Sequence, residues 1–78
     1  MIIYLHPMNY AKFTAGEQLD KVIEEIMEFR EATTIEDIAE EAFDVIQALT
    51  GYLITLGVDL NYANRRHVEK LRRRERGR

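Results

Sequence analysis

Lys21-Val22-Ile23-Glu24-Glu25-Ile26-Met27-Glu28-Phe29, followed after a break by Ile38-Ala39-Glu40-Glu41-Ala42-Phe43-Asp44, is the stretch that decides how this chain folds. Apolar residues recur at 19, 22, 23, 26 and 29, the spacing of an amphipathic helix with 3.6 residues per turn. Two carboxylate pairs ride on this pattern, Glu25 with Glu28 and Glu41 with Asp44, each spaced three apart and separated from the other by twelve residues. Side chains three apart on a helix stand about 5–6 Å from one another at Cβ, close enough to grip one ion together. At 100° per residue Glu25 falls on the shoulder of the apolar stripe beside Phe29, and Glu28 one step further round.

Working outward, Thr14 and Glu17 have the spacing of a capping box, so the first helix is expected to start there. It is expected to end near Ala32, with Thr33 and Glu36 forming a second capping box. A second helix then runs from about Ile35 to Leu56, with Gly57 as its stop. Its apolar positions sweep about 200° of the wheel, wider than the stripe of an ordinary surface helix. What they leave uncovered is a strip of Asp37, Glu41, Asp44, Ala48, Gly51 and Thr55, whose small members leave room for a ligand or let another helix come close. Asp59 is placed to cap a third helix whose inner stripe reads Leu60, Ala63, Asn64, His67, Val68 and Leu71. Residues 1–13 read as an extended arm and 72–78 as a basic tail that frays. The aromatic residues Phe13, Phe29, Phe43, Tyr52 and Tyr62 read mainly as core, with Tyr52 the first to test for base stacking, and His67 as a core or interface histidine.

Seventy-eight residues make a single domain, 1–78, and a chain of that size is marginal alone, which favours a partner subunit. The absence of cysteine excludes disulfides and thiolate metal sites. The opening apolar run is too short for a signal segment, and nowhere do about twenty apolar residues run together. A soluble, cytoplasmic protein that enters no membrane is the expectation. The net charge of −3 hides two opposite fields: residues 1–64 carry three basic and twelve acidic side chains, and residues 65–78 carry eight basic and two acidic. Three helices joined by short turns, the second apolar on two sides, point to an all-α fold. That fold is a helical hairpin plus a third helix, assembling as a dimeric or tetrameric bundle.

Carboxylates are hard oxygen ligands that suit Mg²⁺, with Mn²⁺ as an alternative, whereas zinc recruits His or Cys. Glu at three- and four-residue spacing is also routine on solvated helix faces. Against that, the stretch from Glu24 to Asp44 has Arg30 as its one base, and both acid pairs lie at the edge of an apolar stripe. By spacing alone, a solvated face and a cation site stand side by side.

The run from Lys21 to Phe29, followed by Glu40-Glu41-Ala42-Phe43-Asp44, resembles the Glu-x-x-Glu then Glu-x-x-Asp signature of the MazG-like all-α nucleoside triphosphate pyrophosphohydrolases, over about residues 15–72. The resemblance implies that Glu25, Glu28, Glu41 and Asp44 are the catalytic metal ligands for Mg²⁺. It implies hydrolysis of a nucleoside triphosphate, (d)NTP, to the monophosphate and pyrophosphate by metal-activated water, in a homo-oligomer, dimer or tetramer. Asn64, Lys70 and Arg73 match, loosely, later-helix residues that meet phosphate or sugar, and Lys21 is a further cationic candidate. Phosphoribosyl-ATP pyrophosphohydrolase, with a similar acidic helix pair, is the rival reading within that class. From another class comes a non-catalytic helical oligomer whose basic tail binds nucleic acid; solubility and helix-end charge are the plainer uses of that tail.

Overall fold

The computed structural model describes Leu5 and residues 12–77, and among these there are three helices and no strand. Helix α1 spans Ala15–Glu31, α2 Ile35–Thr55 and α3 Leu60–Arg76. The expected arm at 1–13 and its His6 lie, apart from Leu5, Lys12 and Phe13, outside the described residues. No single helix among the described residues is long and apolar enough to cross a membrane.

Each helix start follows from local chemistry. Thr14 Oγ1 accepts from the Glu17 N–H at 3.1 Å while the Glu17 carboxylate accepts from the Thr14 N–H at 3.0 Å, which completes the expected capping box. That bond to the N-cap backbone holds the Glu17 carboxyl below its ordinary pKa. At α2 the cap is Thr34, one residue later than expected, with its hydroxyl accepting from Asp37 N–H at 3.1 Å. Thr34 has the extended backbone a cap requires, and the helix begins at Ile35, which makes Asp37 rather than Glu36 the third helical residue. Asp59 caps α3 through its carboxylate and the Tyr62 N–H.

Helix α2 stops in a Schellman turn, in which Val58 N–H donates to Leu53 O and Gly57 N–H to Ile54 O, both at 3.0 Å. Gly57 sits at φ 77°, a left-handed conformation that only glycine adopts without strain. The turn bends the chain by 117° between α2 and α3.

Only α1 and α2 pack substantially on one another, as a hairpin across the short Ala32–Thr34 connection. Val22, at 3% exposure, anchors the α1 side, and Ala48 and Gly51 are the buried residues of α2. The strip that sequence periodicity left uncovered is therefore the face that meets α1. Its small residues serve close helix approach, while Ile35, Ile38, Phe43, Leu49 and Ile54 of α2 are exposed and Val45, Ile46, Tyr52 and Leu53 are half-buried. The hydroxyls of Thr50 and Thr55 are satisfied within α2, donating to Ile46 O at 2.8 Å and Gly51 O at 3.0 Å.

Helix α3 departs from expectation twice. It buries no residue, and Leu60, His67, Val68 and Leu71 of its expected inner stripe are all exposed. It also remains helical to Arg76 instead of fraying after Leu71. Arginine is a good helix former, and Arg73, Arg74 and Arg76 place positive charge at the negative end of the helix dipole before Gly77 ends it. Arg66 lies over the Tyr62 ring, 6.0 Å from its centre. Of the five aromatic residues read as core, Phe13, Phe29, Phe43 and Tyr62 are exposed, and Tyr52 is half-buried.

The cap assignment is open to a direct check by urea unfolding. Thr34→Ala is expected to cost about 1 kcal/mol, and Thr33→Ala to stay within about 0.5 kcal/mol of wild type.

Candidate metal and phosphate site

The hairpin brings acids from both helices to one place. Residues 18, 22, 25 and 29 share one face of α1, so packing Val22 against α2 carries Glu25 inward with it. Glu25 is 7% exposed, unusual for a carboxylate, and Glu41 on the facing helix is half-buried. Carboxylate oxygens of Glu25, Glu28 and Glu41 all lie within 4.8 Å of one another. Glu25 Oε2 and Glu41 Oε2 are buried and have no hydrogen-bond partner.

Buried, unpaired carboxylate oxygens are costly, and like charges this close raise the cost. Two of these carboxyls, Glu28 and Glu41, feel it. The neighbouring Glu25 carboxylate, above all by its charge, raises the Glu28 pKa above its ordinary 4.5, with burial and then Glu41 adding to the effect. Burial raises Glu41 first, and the charges of Asp44 and Glu25 push it further. Lys21 offsets part of this: its Nζ lies 2.8 Å from Glu25 Oε1 and 3.7 Å from Glu24 Oε1. The hydrogen bond to Glu25 raises the Lys21 pKa, with burial opposing it.

Beside the cluster is a cavity of about 590 Å³, within the range of small-molecule sites. Its lining joins Lys21, Glu24, Glu25 and Asp44 with Phe13, Glu17, Gln18, Asp20, Gln47 and Ala48. The structure thus joins Glu25, Glu28 and Glu41 in one cluster and places exposed Asp44 in the cavity lining with Glu25, outside the trio. Lys21 takes its place at the cavity wall. Asn64, Lys70 and Arg73 do not: all three are exposed on α3 and line no part of the cavity, because α3 turns away from the hairpin. Tyr52 is likewise absent from the lining, and Phe13 is the aromatic residue that borders it. Gln18, 6% exposed, was missed by sequence reasoning, although its position seven residues before Glu25 on the Val22 face was a legible signal.

The donor set suits a hard divalent cation. It consists of carboxylate oxygens alone, without His or Cys, and two of those oxygens are buried with nothing to satisfy them. An all-α hairpin carrying such a site has the architecture of the MazG-like all-α pyrophosphohydrolases, metal-dependent hydrolases of phosphoric anhydride bonds. Residues 6–74 match the family model described as phosphoribosyl-ATP pyrophosphohydrolase, and the chain belongs to that family. No curated protein and no solved structure matches the chain.

Linkage fixes the sign of a pH effect. A carboxyl whose pKa is raised on folding keeps its proton in the folded chain after the unfolded chain has lost it, so stability falls as pH rises from the ordinary value through the raised one. In EDTA, melting temperature is therefore expected to fall as pH rises from about 4.5 toward neutrality, through Glu28 and Glu41. Glu41→Gln is expected to flatten that dependence and raise the melting temperature at pH 7. Millimolar Mg²⁺ is expected to stabilise the wild type more at pH 7 than at pH 5, since carboxylates bind a cation only when deprotonated.

Proposed function

We propose that the protein hydrolyses the anhydride bond between the α and β phosphates of a nucleoside triphosphate, releasing the monophosphate and pyrophosphate. The observation that carries this reading is the convergence of Glu25, Glu28 and Glu41 from two helices with two buried oxygens unpartnered. These three carboxylates, with Asp44 at the cavity edge, would hold Mg²⁺. A bound divalent cation supplies Lewis acidity toward phosphoryl oxygens and a water acidic enough to serve as nucleophile near neutral pH.

The chain's own residues do the rest. Lys21 fixes Glu25 through the 2.8 Å contact and presents positive charge at the cavity wall, where phosphate oxygens would meet it. Phe13 offers an aromatic face and Gln18 an amide in the same cavity lining, suited to the base or sugar. The partial desolvation of Glu41 strengthens its own interaction with a nearby charge relative to water. Asn64, Lys70 and Arg73 have no role in this reading within one chain.

A second reading is favoured by the family match over residues 6–74: the substrate is phosphoribosyl-ATP, in which the same type of bond is cleaved. One experiment tests both, measuring pyrophosphate release from phosphoribosyl-ATP and a panel of NTPs and dNTPs with Mg²⁺ or with EDTA. Release that needs the cation is expected, and the preferred substrate decides between the two readings. Glu25→Gln and Glu41→Gln are expected to lower turnover about 10²-fold or more while the helices stay folded, and Asp44→Asn to lower it by less. Wild-type turnover in Glu41→Gln, or full activity in EDTA, would remove the basis for this function.

A further inference from the structure

Glu17 and Gln18 are neighbours near the start of α1, and both line the cavity together with Phe13. Gln18 is 6% exposed, yet its amide has no hydrogen bond to any other described residue. A buried amide without a partner is costly, and this one has two donor hydrogens and an acceptor oxygen to satisfy. Lining a cavity of about 590 Å³, it is placed to be satisfied by what enters there.

Glu17 differs in kind. The capping box ties its Oε1 to the Thr14 N–H at 3.0 Å, and chiefly that bond keeps the carboxyl below its ordinary pKa. The group is therefore ionised at neutral pH, and an ionised carboxylate only accepts hydrogen bonds. A fixed acceptor thus stands beside an amide that both donates and accepts. Gln18 and Glu25 are seven residues apart on α1, about 10 Å along its axis. With phosphate held at the acid cluster, a ribose spans that gap, and the group that reaches Gln18 is the base.

Adenine and cytosine present an amino group beside a ring nitrogen that accepts, whereas hypoxanthine and uracil present an oxygen beside a ring N–H. An amino hydrogen satisfies Glu17 while the ring nitrogen accepts from the Gln18 amide. An oxo group in the same place sets oxygen against oxygen and leaves a polar atom unpaired.

We propose that Glu17 and Gln18 determine base specificity: they hold the edge of a base stacked on Phe13 and select adenine or cytosine over their oxo counterparts, hypoxanthine and uracil. This base preference rests on the triphosphate reading of the same site. Neither residue touches the reacting phosphate.

ATP against ITP and CTP against UTP are pairs that differ in that edge. With Mg²⁺, kcat/KM for pyrophosphate release is expected to be about tenfold or more higher for the amino member of each pair. Glu17→Gln retains the capping box, since glutamine serves at that position, but adds a donor, so both ratios are expected to fall toward equality. Gln18→Leu is expected to raise KM for ATP and CTP while kcat changes little. A readout without catalysis uses nucleosides in EDTA: adenosine is expected to shift the Gln18 side-chain amide resonances at lower concentration than inosine does. Equal kcat/KM within each pair, alongside cation-dependent release, overturns the base preference and leaves the triphosphate reading standing. A wild-type preference that persists undiminished in Glu17→Gln overturns it too. No release from any triphosphate removes the proposed function instead, and the nucleoside titration then judges the base preference by itself, with equal responses to adenosine and inosine overturning it.

Discussion

Two helices approach closely only where their side chains are small, and on α2 the small residues Ala48 and Gly51 lie along the same face as Glu41 and Asp44. Docking Val22 against that face brings α1 close, and Glu25, one turn further along α1, is carried in with it. Burial of carboxylate oxygens is thus a consequence of the packing that makes the hairpin. The fold's best-packed contact and its least comfortable electrostatics occupy the same seam.

That discomfort is what a cation bound at the cluster would relieve. An apolar residue at position 25 would pack without charge repulsion, and Glu25 beside Glu28 and Glu41 offers oxygens that a cation could complete. Lys21 compensates one oxygen of Glu25 and leaves the other unpartnered. Raised pKa values at Glu28 and Glu41 record the same imbalance from the proton's side.

The hairpin also sorts its surfaces. Polar and acidic residues border the cavity on one side, and aliphatic residues cover the other. With so few buried residues among those described, the single chain has little hydrophobic core of its own, as its small size implies. Helix α3, rich in arginine and buried nowhere, adds positive charge without adding core.

The sequence by itself determined the three helices, the Thr14–Glu17 and Asp59 caps, the Gly57 stop and the pairing of acids on α1 and α2, because each is a local matter of hydrogen bonding or periodicity. Tertiary structure decided which side of α2 faces α1. Its apolar sweep suggested the large residues, but helix approach selected Ala48 and Gly51, because close contact is set by side-chain size as much as by hydrophobicity. The same choice put Glu41 in the trio and Asp44 at the cavity edge. It left Asn64, Lys70 and Arg73 away from the site, since the 117° bend after α2 is a property of a turn in space and not of the residues' types.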